Sequence, residues 1–555
     1  MGGGGIWDVP LQPSNFNVTL AVLGGFVSLF GLVSFLVKEN FYLSEALISL
    51  LVGVGLGPNG ANWLRPREYA ECYWEGVSAA ECDGNIDGVT MAFSRLVLGV
   101  QLVLAGVQLP SRYLWSERRS LLLLIGPGMV AMWLATSGLV WAVVRPRSLL
   151  HALAVGACVT PTDPVLSAVI VKGKFADRNI PRELQHLVIA ESGTNDGLGY
   201  PFLFFALYLI KFVGGAAVDE GDGGGGGGGV GDALGLWFAF TWAYTIALAV
   251  AYGAVVGLVG KSLLHWAERR NYVDRESFLV FAISLALFVV GTCGMLGTDD
   301  VLACFIAGNT FTWDDWFRLQ TKDDSLQPTV DMLLNVTVFL WYGASLPWGS
   351  FAQNAVPGLS VGRLVALGAL VLVLRRLPWV FAMRRWIHQM EGVRHALFVG
   401  FFGPIGVSAV FYIFIAVDFI RHHLSDADGV ARSDVVHLAE TIRVVVWFLV
   451  VCSVIVHGLT IPIGRLGYLA PRFGRALGSS SSGRSISNER LVSAHQKKVS
   501  GLRMWLGRKT ASVDSGIVTR DFLDWEATAG SGVSTPCQSQ SAVSSSQRVE
   551  GRAHV

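Results

Sequence analysis

Hydrophobic residues in this chain come in blocks about twenty long, divided by short polar connectors, and within a block they occupy every helical face rather than a single stripe. Blocks of that length match the hydrocarbon thickness of a bilayer. They fall at residues 17–37, 41–57, 90–110, 120–143, 150–171, 185–210, 234–259, 277–296, 300–313, 328–348, 359–383, 395–416 and 443–463, the second and ninth being short. The pattern predicts an all-α polytopic membrane protein with about thirteen transmembrane helices. Residues 1–16 precede the first block, residues 17–465 form the membrane domain, and residues 466–555 are Ser-rich and basic, a composition expected to stay disordered on the cytosolic side.

Composition sharpens this picture only slightly. Over half of the 555 residues are hydrophobic (52%), 15% are charged, and the formal net charge is +1, which by itself says nothing about partners; no nucleic-acid partner is expected. Where Lys and Arg fall matters more. Connectors after odd-numbered blocks carry clusters such as Arg112, Arg118 and Arg119, or Lys261, Arg269 and Arg270, whereas those after even-numbered blocks carry few. The positive-inside rule then puts the N-terminus outside and the C-terminus in the cytosol. The run "VDEGDGGGGGGGVGD" (218–232) becomes a flexible external linker. The N-terminal "MGGGGIWDVP" has neither the basic region nor the cleavage site of a signal peptide. Cys72 and Cys82 share a polar connector, and if it faces outside they can form a disulfide.

The chemistry is carried by ionisable residues inside the apolar blocks, which are costly there and mark ion or proton paths. The fifth block contains "TPTDP", with Asp163 between Pro161 and Pro164. Lipid tolerates such a break only where protein or a water-filled cavity covers it. The sixth block contains "ESGTNDG", in which Glu191 stacks over Asn195 and Ser192 over Asp196 at helical spacing. Asn195 is then placed to tie Glu191. The eleventh block carries Arg375 and Arg376, which cannot both remain unpaired. The twelfth is interrupted at Gly403, Pro404 and Gly406. Two interrupted helices at corresponding places in two halves of a chain point to inverted repeats with a midplane site. Asp163 and Asp196, with oxygen-bearing Thr162, Asn195 and Ser192 nearby, offer a hard cation the ligands it prefers. On this reading the half-helix ends add their dipoles to the site. Glu191 is read either as part of the site or as a structural ion-pair partner.

The segments "TPTDP", "ESGTNDG", "RRLP", "FFGPIGV", "SVIVHGLTIP" (453–462) and "FSRLVLGVQLVLAGVQLP" (93–110), taken together and in this order, resemble the fungal plasma-membrane sodium/proton antiporters of the monovalent cation/proton antiporter family. The resemblance runs from about residue 17 to 466. It implies that residues 17–465 form a cation/proton exchanger domain, that Asp196 binds Na⁺ or the proton, that Thr162 and Asp163 form the crossing-helix pair, and that Glu191 pairs with an arginine of the eleventh block, Arg376 in preference to Arg375. It also implies that Asp299 and Asp300 of "GTDDVLACFIAG" matter for transport; residues alone allow an N-terminal helix cap there. The expected activity is exchange of Na⁺ or Li⁺, with K⁺ as a further substrate, for H⁺ across the plasma membrane. A K⁺-preferring exchanger of an internal membrane is the alternative. A homodimer is implied, and no cofactor.

Two other classes use membrane-embedded acids. An intramembrane aspartyl protease needs Tyr-Asp and Gly-x-Gly-Asp settings; no Tyr-Asp occurs, and the Gly-x-Gly-Asp at 229–232 falls at the end of the glycine linker rather than at an acid inside an apolar block. A channel needs a continuous pore, which broken crossing helices with acid–base pairs do not favour. The chain is therefore not expected to be an enzyme.

Overall fold

The computed structural model describes residues 14–35, 43–70, 79–171, 176, 180–214, 229–425, 432 and 434–478. Residues 1–13, most of the glycine run, Cys72 and the tail beyond 478 lie outside the described residues. The chain divides into two compact units, 1–473 and 474–555; of the second, only 474–478 are described.

The described residues are helical, and each predicted apolar block coincides with a helix or a pair of half-helices. In chain order these are α1 (Asn15–Phe35), α2 (Glu45–Leu56), α3 (Ala79–Gln108), α4 (Arg118–Val143), α5 (Leu149–Cys158), α6 (Pro164–Val171), α7 (Arg182–Gly214), α8 (Val230–Arg269), α9 (Arg275–Leu296), α10 (Asp300–Phe311), α11 (Leu326–Ser345), α12 (Val361–Leu374), α13 (Leu377–Met383), α14 (Val393–Phe401), α15 (Val407–His423) and α16 (Leu438–Gly478). Eight helices among the described residues are long and apolar enough to cross a membrane; the other blocks hold shorter, more polar or interrupted helices.

Local chemistry sets the helix boundaries. Ser148, Asp274, Asp299 and Ser360 each accept a backbone N–H three residues on and so start α5, α9, α10 and α12. Gly297, at φ +68°, ends α9 in the left-handed conformation that favours glycine. In α4 the backbone widens to a π turn over Leu124–Gly128, where Pro127 supplies no N–H.

Small residues let helices pack backbone to backbone. A Cβ on Gly308 of α10 would lie 2.3 Å from the Val103 carbonyl oxygen of α3, and one on Gly253 of α8 would lie 2.4 Å from the Ala303 carbonyl of α10. Such close approach is how helices associate in lipid, where burying apolar surface gives little driving force. Cys82 is disulfide-bonded, and its expected partner Cys72 is among the residues not described.

Candidate functional site

Two interrupted helices cross where the chain runs Thr160–Asp163 and Phe402–Gly406. The two unwound segments bond directly, the Asp163 N–H donating to the Pro404 carbonyl at 3.0 Å. Four half-helix ends meet here: the C-termini of α5 and α14 and the N-termini of α6 and α15.

The charges are matched to those ends. Asp163 Oδ2 accepts the Leu166 N–H of α6 at 2.8 Å, and Oδ1 accepts the Ser408 N–H of α15 at 3.2 Å. One carboxylate therefore caps two positive helix ends. Gly406 makes room for it, since a Cβ there would sit 2.7 Å from the Asp163 carboxyl. Arg375 does the converse. Its guanidinium donates to the carbonyls of Val159, Thr160 (3.3 Å) and Pro161 (3.2 Å) after α5, and to the Gly403 carbonyl after α14. A cation thus sits on two negative helix ends. The dipoles that the sequence reading assigned to the ion site are here met by protein charges.

Arg376 points elsewhere. Its two terminal nitrogens grip Glu191 of α7 at 2.6 and 2.7 Å, and Nε donates to the Val399 carbonyl of α14 at 2.9 Å. Gly403 permits this approach, because a Cβ there would lie 2.2 Å from Arg376 Cδ. Asn195 does not tie Glu191, as helical stacking suggested. Its amide nitrogen donates to Thr162 Oγ1 at 2.8 Å and its oxygen accepts the Thr162 N–H at 3.1 Å. Ser192 bonds to Thr162 at 3.1 Å and to Ser167 at 3.2 Å. The Thr162 N–H of the unwound segment, together with the Thr162 and Ser167 hydroxyls, takes these α7 side chains.

Asp196 is different. It is fully buried, and neither carboxylate oxygen has a hydrogen-bond partner. The Ser408 hydroxyl of α15 is buried and unpartnered too. Just beyond, α7 bends at Leu198, and Pro201 offers no N–H to the Gly197 carbonyl; the Tyr412 hydroxyl of α15 donates to that carbonyl at 3.2 Å and to the Asp196 carbonyl.

Asp299 caps α10 through Oδ1, which accepts the Leu302 N–H at 3.0 Å, while its buried Oδ2 is unpartnered. Asp300 is paired with Arg95 of α3, which also donates to the Val290 carbonyl at 3.1 Å. Sequence reasoning passed over Arg95, although a lone cation in an apolar block was the signal. It also passed over Ser453 and His457. The Ile405 N–H donates to Ser453 Oγ at 2.7 Å, and His457 Nε2 lies 3.1 Å from the Phe401 carbonyl, so this i, i+4 pair on α16 satisfies the broken α14–α15 backbone.

Crossed half-helices with a buried, unpartnered acid beside them define a membrane transporter scaffold. A family model described as "Sodium/hydrogen exchanger, transmembrane" matches residues 25–463, and the chain belongs to that family. It is 35% identical over 469 residues to a Na⁺/H⁺ antiporter of Saccharomyces cerevisiae, covering 83% of this chain and 44% of that protein. It is 34% identical to Na⁺/H⁺ antiporter 2 of Zygosaccharomyces rouxii, over 82% of this chain and 54% of that one. With a Na⁺/H⁺ antiporter of Schizosaccharomyces pombe it shares 30% identity over 82% of this chain and 91% of that one. The chain thus spans about half the length of the Saccharomyces and Zygosaccharomyces relatives. Among solved structures, the sodium proton antiporter MjNhaP1 of Methanocaldococcus jannaschii superposes with a TM-score of 0.56 over 81% of this chain and 98% of that one, at 15% identity. That likeness extends to the fold alone.

Proposed function

We propose that this chain is a secondary antiporter that exchanges Na⁺ or Li⁺, with K⁺ as a further substrate, for H⁺ across the plasma membrane, and so contributes to salt tolerance and to cytosolic pH and cation homeostasis. The observation that carries the reading is Asp196, a carboxylate buried in membrane-spanning sequence with both oxygens unpartnered. A lone buried carboxylate is unstable as a bare anion and must take up a proton or a cation. Competition between the two for one group couples their fluxes. Family membership and relatives named as Na⁺/H⁺ antiporters support the same activity. Thr162, Asn195 and Ser192 form the wall beside Asp196, Asp163 and Arg375 hold the crossing, and Glu191 with Arg376 fixes α7 against it. The Lys and Arg distribution supports an N-terminus outside and a C-terminus in the cytosol, and the family resemblance supports a homodimer.

The test is reconstitution. Proteoliposomes holding a preset proton gradient should lose it on addition of Na⁺ or Li⁺. Asp196→Asn, which keeps the side chain's volume, should abolish the effect while leaving a folded, inserted protein. Undiminished exchange by that variant, or a parent protein with no cation response, overturns the reading.

A further inference from the structure

We propose that the cleft between the start of α3, the end of α11, the end of α15 and the start of α16 binds a small soluble oxyanion of the phosphate class, held by Arg443, Arg421 and Arg67 with the indole N–H of Trp348. Binding there is independent of the exchange reading. Only the side on which the cleft opens, the outside, follows from the orientation proposed above.

Unsatisfied donors mark the site. The cleft encloses about 720 Å³. Three of its lining residues have a buried polar atom with no hydrogen-bond partner: Arg443 Nε, Trp348 Nε1 and the Ser345 hydroxyl. A guanidinium and an indole can only donate, and a hydroxyl can donate as well. Leaving a buried donor unmade is costly, more so when it is charged. What this wall lacks is therefore an acceptor. Trp348 is held in place for one, since its ring packs edge-on against Phe351 with centroids 5.6 Å apart.

Charge points the same way. Arg421 and Arg443 both donate to Oδ2 of Asp87, Arg421 at 3.2 Å. One carboxylate neutralises one of the two guanidiniums. Arg67, also on the cleft, has no carboxylate partner among the described residues. The other acid of the wall, Glu440, spends Oε1 on the Ala355 N–H at 2.8 Å. Surplus guanidinium beside unsatisfied N–H groups suits a ligand that only accepts, and the guanidinium fork matches the oxygens of a phosphate. Asp87 is the competitor for those forks. An oxyanion that takes them from Asp87 loosens the tie between α3 and the α15–α16 pair.

The experiment uses the purified full chain with choline as the only cation and reads thermal unfolding while inorganic phosphate replaces chloride at equal ionic strength and neutral pH. Phosphate should stabilise the parent saturably beyond chloride, whereas the general stabilisation by excluded salts does not saturate and is shared by all variants. Arg443→Gln should raise the half-saturating phosphate concentration about tenfold or more, and Trp348→Phe, which keeps a ring but not the N–H, about threefold. Asp87→Asn should lower it about threefold or more, because the competing carboxylate is gone. If Arg443→Gln does not fold, Arg67→Gln takes its place, with a rise of about threefold. A short-chain phosphatidic acid, added in place of phosphate, separates a lipid headgroup from a free anion. Saturable stabilisation by inorganic phosphate that weakens in the arginine and tryptophan variants supports the site. A parent that answers phosphate no better than chloride, a response to the lipid alone, or a half-saturation within twofold of the parent in both the arginine and the Trp348 variants overturns it.

Discussion

Arg375 and Arg376 are adjacent, identical in chemistry and equally buried, yet one reads backbone carbonyls and the other a carboxylate. Consecutive side chains leave the backbone in different directions, and here the chain also changes course between α12 and α13. The bidentate Glu191–Arg376 pair is buried on both sides. Removing one member leaves an uncompensated buried charge, at a cost of about 3–5 kcal/mol, whereas removing both can be nearly neutral. Glu191→Gln should therefore lower thermal stability strongly, and adding Arg376→Gln should recover part of the loss. A double-mutant cycle read by thermal unfolding checks this, and strictly additive losses would show that the two do not act as a pair.

At the scale of elements, the crossing is an arrangement of four helix ends with one anion and one cation assigned to them. Arg375→Gln should strip the cation from the carbonyls after α5 and α14 and destabilise the crossing by about 2 kcal/mol. Ser453→Ala, which leaves the Ile405 N–H buried without its acceptor, should cost about 1–3 kcal/mol. Chemical denaturation in detergent measures both. Another helix end lies outside the membrane spans: Arg432 donates to the Ile210 carbonyl of α7 at 2.6 Å and pairs with Asp434. Burial pushes the Asp434 carboxyl up, but the hydrogen bond and charge of Arg432 outweigh it and hold the group below its ordinary value. A depressed carboxyl contributes stability that is fully present above its unfolded value near 4 and is lost as pH falls through the lower folded value. The difference in melting temperature between the parent and Asp434→Asn should be constant from about pH 7 to 5 and shrink below about pH 4.

At the scale of the whole bundle, Asp87 at the start of α3 takes both Arg421 of α15 and Arg443 of α16. The three line a cleft of about 720 Å³ that also touches Ser345 at the end of α11 and Trp447 of α16. Alternating access by rocking of one helix group against another requires contacts that tie helices together in one state and release in the next, and this cluster ties α3 to α15 and α16. Asp87→Asn should raise the labelling rate of a Ser345→Cys reporter by a water-soluble thiol reagent severalfold relative to the reporter alone. An unchanged rate would show that the cluster does not restrain the cleft.

The sequence by itself determined the helical membrane architecture, the two interruptions at Pro161–Pro164 and Gly403–Gly406, and the set of buried acids and bases. It could do so because a bilayer demands long apolar blocks and makes every break or charge within them conspicuous. Family membership was legible for the same reason, in ordered motifs around those breaks. Only the tertiary structure decided what each charge faces. Asp163 and Asp196 look alike in sequence, each beside a hydroxyl residue, but one meets two helix N-termini and the other meets no donor of its own. Likewise, the spacing that stacks Asn195 under Glu191 held for the helix and misled about the bond, because Thr162, thirty-three residues away in the chain, offered a better-matched pair of groups. Periodicity fixes which side chains share a face. Which partner satisfies them depends on the backbone groups that other segments leave unpaired, and those are set only when the segments meet.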